Sequence, residues 1–150
     1  MRRKDKEITE KEIKPIIKKA RVCRLAMIDG KKPYLVPLCF GLAGNTLYFH
    51  SAVTGKKLSI IKKNPRVCFE FETGVELVPS TTACKIGMKF QSVIGFGKAR
   101  MVEDEKEKLK GLCAIVRHYS DCACEFPPEI LEKTVVFKVE IRKMTAKKSG

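Results

Sequence analysis

With 44% hydrophobic and 32% charged side chains in 150 residues, the chain has the composition of one packed domain over 1–150, not of a disordered segment. No apolar run reaches the roughly 18 residues of a membrane span, and the basic start MRRKDKEITEKEIK has no apolar signal segment, so a cytoplasmic location without membrane association is expected. A net charge of +14 points to anionic partners. The basic residues are spread over the N-terminal segment, Lys56 to Lys63 and the terminal KKSG without interleaved aromatics, which favours a small anionic ligand over nucleic acid.

Thr9-x-x-Glu12 has the form of a capping box, and Ile13, Ile16, Ile17 and Ala20 follow at helical spacing. Pro15 cannot donate a backbone hydrogen bond, so the regular part of this helix is expected to begin near Lys14. Residues 21–28 and 33–40 are apolar runs around an Asp29-Gly30 turn, with Pro33 predicting a late start for the second strand. Residues 46–51 follow the Gly44-Asn45 turn and complete a three-strand meander. Thr54 is placed to cap a short helix with Leu58 and Ile61 inward. Arg66 to Glu72 then alternates apolar and polar residues as a half-buried strand does.

Phe90 to Val102 reads as a long strand in which Gly95 and Gly97 predict a bulge or a close backbone approach. Asp104-x-x-Glu107 caps a helix with Leu109, Leu112, Cys113 and Val116 as its stripe. The last strand, Thr134 to Arg142, sets Val135, Phe137, Val139 and Ile141 on one side. Six antiparallel strands and about three helices predict a mainly β fold with flanking helices, closed into a small barrel because so few helices do not cover a flat sheet.

Seven cysteines are an odd number, and Cys23, Cys39 and Cys68 lie inside apolar runs, so buried free thiols are expected. Cys84 is read as a packed thiol and His118 as a helix-end cation. Cys122-x-Cys124 is half of a zinc-site spacing without a second pair, and no metal site is expected.

The densest chemistry lies in NTLYFHSAVTGKKLSIIKKNPRVCFEF, from Asn45 to Phe71. A helix beginning after Thr54 leaves the amides of Gly55, Lys56 and Lys57 without intrahelical acceptors. Lysines are unfavourable at this positive helix end. Two in succession make sense if an anion, a phosphate above all, lies between them and the amides, with the Ser51 hydroxyl beside it. The alternative is a pair of solvated lysines on a basic protein.

The order YLVPLCF, LYFHSAVTGKK, NPRVCFEF and FQSVIGFGKAR resembles the flavin mononucleotide (FMN)-binding split-barrel proteins related to pyridoxamine 5'-phosphate oxidase. It is closest to the subgroup that includes nitroimidazole-resistance reductases, where a strand ends in His-Ser before a basic turn and Ser-Val-x-Gly-x-Gly follows. The resemblance implies a six-stranded antiparallel split β-barrel and non-covalent FMN at the interface of a homodimer. It further implies that Val36, Pro37, Leu38 and Cys39 lie along the flavin ring, that Lys56 and Lys57 with Ser51 hold its phosphate, and that Gln91, Ser92 and Val93 approach the cofactor. His50 matches a histidine near the flavin. It is compatible with a hydrogen-bonding role or with giving a proton to a reduced substrate, the ordinary imidazole pKa lying near neutrality.

The implied activity is flavin-dependent reduction of a small organic molecule, nitro-aromatics included, with a reduced nicotinamide as a possible electron donor. The chain has Gly-Lys-Lys where the oxidase itself usually has Ser-Arg-Lys, and vitamin B6 oxidase activity is not expected. A storage or sensing flavoprotein, and more remotely a polyanion-binding module, are the alternatives from other classes.

Overall fold

The computed structural model describes residues 6–7 and 10–150. Strand β1 (Lys6–Glu7) precedes helix α1 (Glu10–Lys19), after which the chain runs through β2 (Cys23–Asp29), β3 (Lys32–Leu38), β4 (Gly41–Ala43) and β5 (Thr46–Ala52). Helix α2 (Lys56–Lys63) leads to β6 (Arg66–Val78), a 3-10 turn at Ala83–Lys85 and β7 (Gly87–Met101). Helices α3 (Glu105–Tyr119) and α4 (Pro128–Lys133) precede the last strand, β8 (Thr134–Ser149). No helix among the described residues is long and apolar enough to cross a membrane.

Helix α1 includes Pro15, so its regular part does not wait until Lys14. Burial of Ile13, Ile16, Ile17 and Ala20 in the main core offsets the hydrogen bond that Pro15 cannot donate. Thr9 lies outside the described residues. The two short turns are local in origin. Gly30 and Gly44 have φ of 64° and 60°, a region that glycine enters without a Cβ penalty.

The sheet is antiparallel, and its path runs β3-β2-β6-β7-β8-β5-β4, with β1 paired beside β8. The path is open, because β3 and β4 are its two ends and do not pair with each other. This corrects the expected closed barrel of six strands. The difference has a backbone cause: Pro33 and Pro37 lie on β3 and lack the amide that a second neighbour would need, which suits an edge strand. Strand β4 is three residues long, too short to carry an alternation that the sequence would reveal. Strand β6 runs past its expected end at Glu72 and β8 past Arg142, while β7 starts before Phe90, with a register shift between Thr73 and Glu76 around Gly74, whose φ is 66°.

The main core includes Leu25, Phe40, Phe49, Phe69, Phe71 and Phe137. A second cluster, Tyr48, Val102, Leu112, Ile115 and Val136, lies under α3. Glycines let the elements meet there: a Cβ on Gly41 would stand 2.4 Å from the Ala114 backbone, and one on Gly111 would stand 2.6 Å from the Tyr48 ring. The helix therefore buries Gly111, Leu112 and Ile115, while Leu109 of the expected stripe is 41% exposed. Asp104 caps it as expected, its carboxylate accepting from the Glu107 amide at 3.0 Å. At Gly95 and Gly97 a Cβ would run into the Phe69 ring and the Glu140 carbonyl, and the β7–β8 register shifts between Phe96 and Gly97.

Candidate functional site

Helix α2 is seated by Leu58, Ile60 and Ile61, all buried, so its N-terminus projects toward the β2–β3 hairpin. Its N-cap is Gly55, not Thr54, and no side chain caps it. The amides without an intrahelical acceptor are thus those of Lys56, Lys57 and Leu58, one residue later than expected. No acidic residue lies in this first turn, which leaves the positive end of the helix uncompensated from within.

Lys56 is exposed and Lys57 half-buried. The Lys56 ammonium stands 3.7 Å from Asp29 Oδ2 and 5.0 Å from the centre of the Tyr34 ring. It therefore ties α2 to the end of β2 and to β3. Sequence reasoning missed Asp29 and Tyr34 as members of this group, since each was accounted for by a turn or a strand; the signal was the turn position of Asp29 beside a basic helix start.

Along β3, Val36 and Leu38 pack against the main core as half-buried residues, while Pro37 and Cys39 are exposed. Outward, this strand offers its free backbone edge and the side chains of Leu35 and Pro37, with Cys39 just past its end. The exposed Cys39 corrects the expectation of a buried thiol, as does the exposed Cys84 on its 3-10 turn. Cys23 is buried and Cys68 half-buried, and burial pushes the Cys23 thiol pKa far up. Ser51 is buried, at 8% exposure.

His50, its chain neighbour, is exposed; its backbone lies in the β5–β8 ladder opposite Val136, and its side chain makes no hydrogen bond among the described residues. Gln91 and Ser92 are half-buried and Val93 fully buried. Their strand is hydrogen-bonded on both sides, to β6 and β8, so its backbone is already used. Gln91 lines a cavity against α1 with Pro15 and Lys19. Within one chain, then, the structure joins Lys56 to β3 through Tyr34, while no recorded contact brings His50 or Gln91–Val93 to that pair.

The junction between β3 and β4 is held from outside. The Tyr119 hydroxyl donates to the Arg21 carbonyl at 2.7 Å and accepts from the Phe40 amide at 3.2 Å. Burial, with Cys39 nearby, pushes its pKa up to about 12, so it stays a donor. His118 donates from Nε2 to the Ala20 carbonyl at 2.6 Å, and its ring centre lies 4.2 Å from that of Phe40. His118 was expected to be no more than a helix-end cation. Nearby, Cys113 and Cys124 form a disulfide. It overturns the free-thiol reading for both and removes Cys124 from any Cys-x-Cys ligand set.

The outward face of β2, β3, β6 and β7 carries exposed apolar side chains beside the Arg24–Glu70 ion pair. Leu35 is 61% exposed, Phe96 54%, Ile94 42% and Ile28 38%, and Val75, Leu77, Ile86 and Met88 are exposed on the β6–β7 arm.

Residues 9–148 match a family model described as pyridoxamine 5'-phosphate oxidase. Among solved structures, a candidate 5-nitroimidazole antibiotic resistance protein from Bacteroides thetaiotaomicron is 33% identical, with a TM-score of 0.85 over 96% of this chain and 87% of that one. A flavocytochrome from Azotobacter vinelandii superposes with a TM-score of 0.79 at 19% identity, over 95% of this chain and 68% of that one. An FAD and haem binding protein from Mycobacterium smegmatis does so at 0.83 and 14%, over 98% and 74%. The last two share the fold. No curated protein matches the sequence.

Proposed function

Since the chain belongs to the pyridoxamine 5'-phosphate oxidase family, we propose that it is an FMN-dependent oxidoreductase that reduces a small organic molecule, with nitro-aromatics as the leading substrate class. The observation that carries this reading is the α2 N-terminus, where three unpaired amides and two lysines converge with no acid in the first turn. That arrangement suits a phosphate in charge and in hydrogen-bond direction. The nitro-aromatic class is supported by the likeness to the Bacteroides protein.

In this reading Lys56 and Lys57 hold the phosphate, with Ser51 beside them, and the free edge of β3 from Val36 to Cys39 lies along the ring. FMN, when bound, supplies the redox chemistry. The exposed His50 imidazole gives a proton to the reduced substrate. The exposed Ile28, Leu35, Ile94 and Phe96 support a homodimer with the flavin at the subunit interface, in which Gln91, Ser92 and Val93 of one chain approach a cofactor held by the other. This accounts for their separation from Lys56 within one chain.

A flavin-binding protein without turnover is the second reading, favoured by one observation: no hydrogen bond orients His50 for proton transfer. The visible spectrum of the purified protein, followed by anaerobic mixing with a reduced nicotinamide and a nitro-aromatic, separates the two. Bound flavin that bleaches and is reoxidised by the substrate is expected. A protein that takes up no added FMN overturns both readings, and flavin that binds but is never reduced selects the second.

A further inference from the structure

We propose that a basic cavity between α1, β4 and α3 is a second ligand site, for an organic anion with an apolar body. The cavity has a volume of about 430 Å³, within the roughly 300–1,000 Å³ of small-molecule sites. Its walls carry Lys18 from α1 and Lys110, Arg117 and His118 from α3, and no acidic residue lines it. It contains none of the residues of the α2 site.

The arrangement follows from the helices. Positions 110, 114 and 117 are spaced to share one face of α3, and Ala114 between the two cations is small enough to leave the space open. Three like charges converging on one gap repel one another. None of the Lys18, Lys110 and Arg117 side chains has an ion-pair or hydrogen-bond partner among the described residues. Lys18 and Arg117 lie in the last turns of their helices, where the helix dipole favours cations. Lys110 lies in the middle of α3, away from either helix end, and like Lys18 and Arg117 is exposed at the rim of the cavity. Beneath the charges, Ile17, Leu42 and Ala114 form an apolar floor. An inorganic anion would answer the cations only, whereas a carboxylate on a hydrocarbon body answers both surfaces.

Calorimetric titration of the purified full-length chain with decanoate, and separately with inorganic phosphate, tests this. Decanoate is expected to saturate at one site per chain and to bind more tightly than phosphate. Lys110→Gln with Arg117→Gln is expected to weaken decanoate by at least about tenfold, the loss of charge-assisted contacts, while circular dichroism stays unchanged. Lys110→Arg keeps the charge and keeps binding, and Ala114→Phe fills the cavity and abolishes it. Equal affinity for phosphate and decanoate, no decanoate binding, or binding that survives the double substitution overturns the proposal.

Discussion

Lys56 and Asp29 face each other across the mouth of the β2–β3 hairpin, Nζ to Oδ2 at 3.7 Å, at the helix end proposed to receive a phosphate. The carboxylate therefore competes with the ligand for the ammonium. Both side chains are substantially exposed, 62% and 39%, and such pairs contribute roughly 0–1 kcal/mol. Asp29→Asn is expected to tighten FMN by up to about fivefold, read from quenching of flavin fluorescence. A weaker affinity would instead mean that Asp29 holds Lys56 in its binding position.

Removing the lysines acts in the opposite direction and more strongly. Lys56→Ala with Lys57→Ala deletes two charge-assisted contacts of about 1.5–3 kcal/mol each. Cofactor retention should fall steeply, and the residual affinity should lose most of its dependence on salt. Retention equal to that of the parent chain would place the phosphate elsewhere.

Glu70 carries a prediction in pH. Burial first, then its neighbour Glu72, push its carboxyl up from 4.5 to about 7, against the lowering by Arg24. The folded state thus favours the protonated acid. Its contribution to stability is fully present below pH 4.5 and declines as the pH rises from 4.5 to about 7. Glu70→Gln has no such decline, so the Tm of the variant minus that of the parent should grow across this window and level off above it. A constant difference would show that the carboxyl titrates normally.

Tyr119→Phe removes the hydroxyl that serves both the Arg21 carbonyl and the Phe40 amide. Leaving that partly buried amide without an acceptor costs about 1–3 kcal/mol, or several degrees in Tm. Hydrogen exchange should accelerate first at Phe40. Uniform acceleration over the whole sheet would indicate global destabilisation with no special role at this junction.

What the sequence disclosed follows the range of the interactions. The Asp104 cap, the Gly30 and Gly44 turns and the tight packing at Gly95 and Gly97 were legible because neighbours in sequence or an absent Cβ decide them. The start of α1 was misjudged because burial of Ile16 and Ile17 outweighs the defect at Pro15, and the phase of α3 because Tyr48 packs on Gly111. The disulfide was hidden for the same kind of reason, since the chain's return after α3 is what brings Cys124 to Cys113. In the site, the lysine pair was visible from charge placed against a helix dipole. Asp29, Tyr34 and Tyr119 were not, because each acts on a residue distant along the chain.

The two ends of the open sheet, β3 and β4, are consecutive in the chain, with only Cys39 and Phe40 between them. A gap in a hydrogen-bonded ladder is commonly a hinge, free to widen. Here its two edges are tied at one end, because two residues join the strands and the Tyr119 hydroxyl holds the Phe40 amide within that link. A molecule lying along β3 would meet a strand already paired to β2 and anchored just past its end, and would lose little of its binding energy to ordering the strand that receives it.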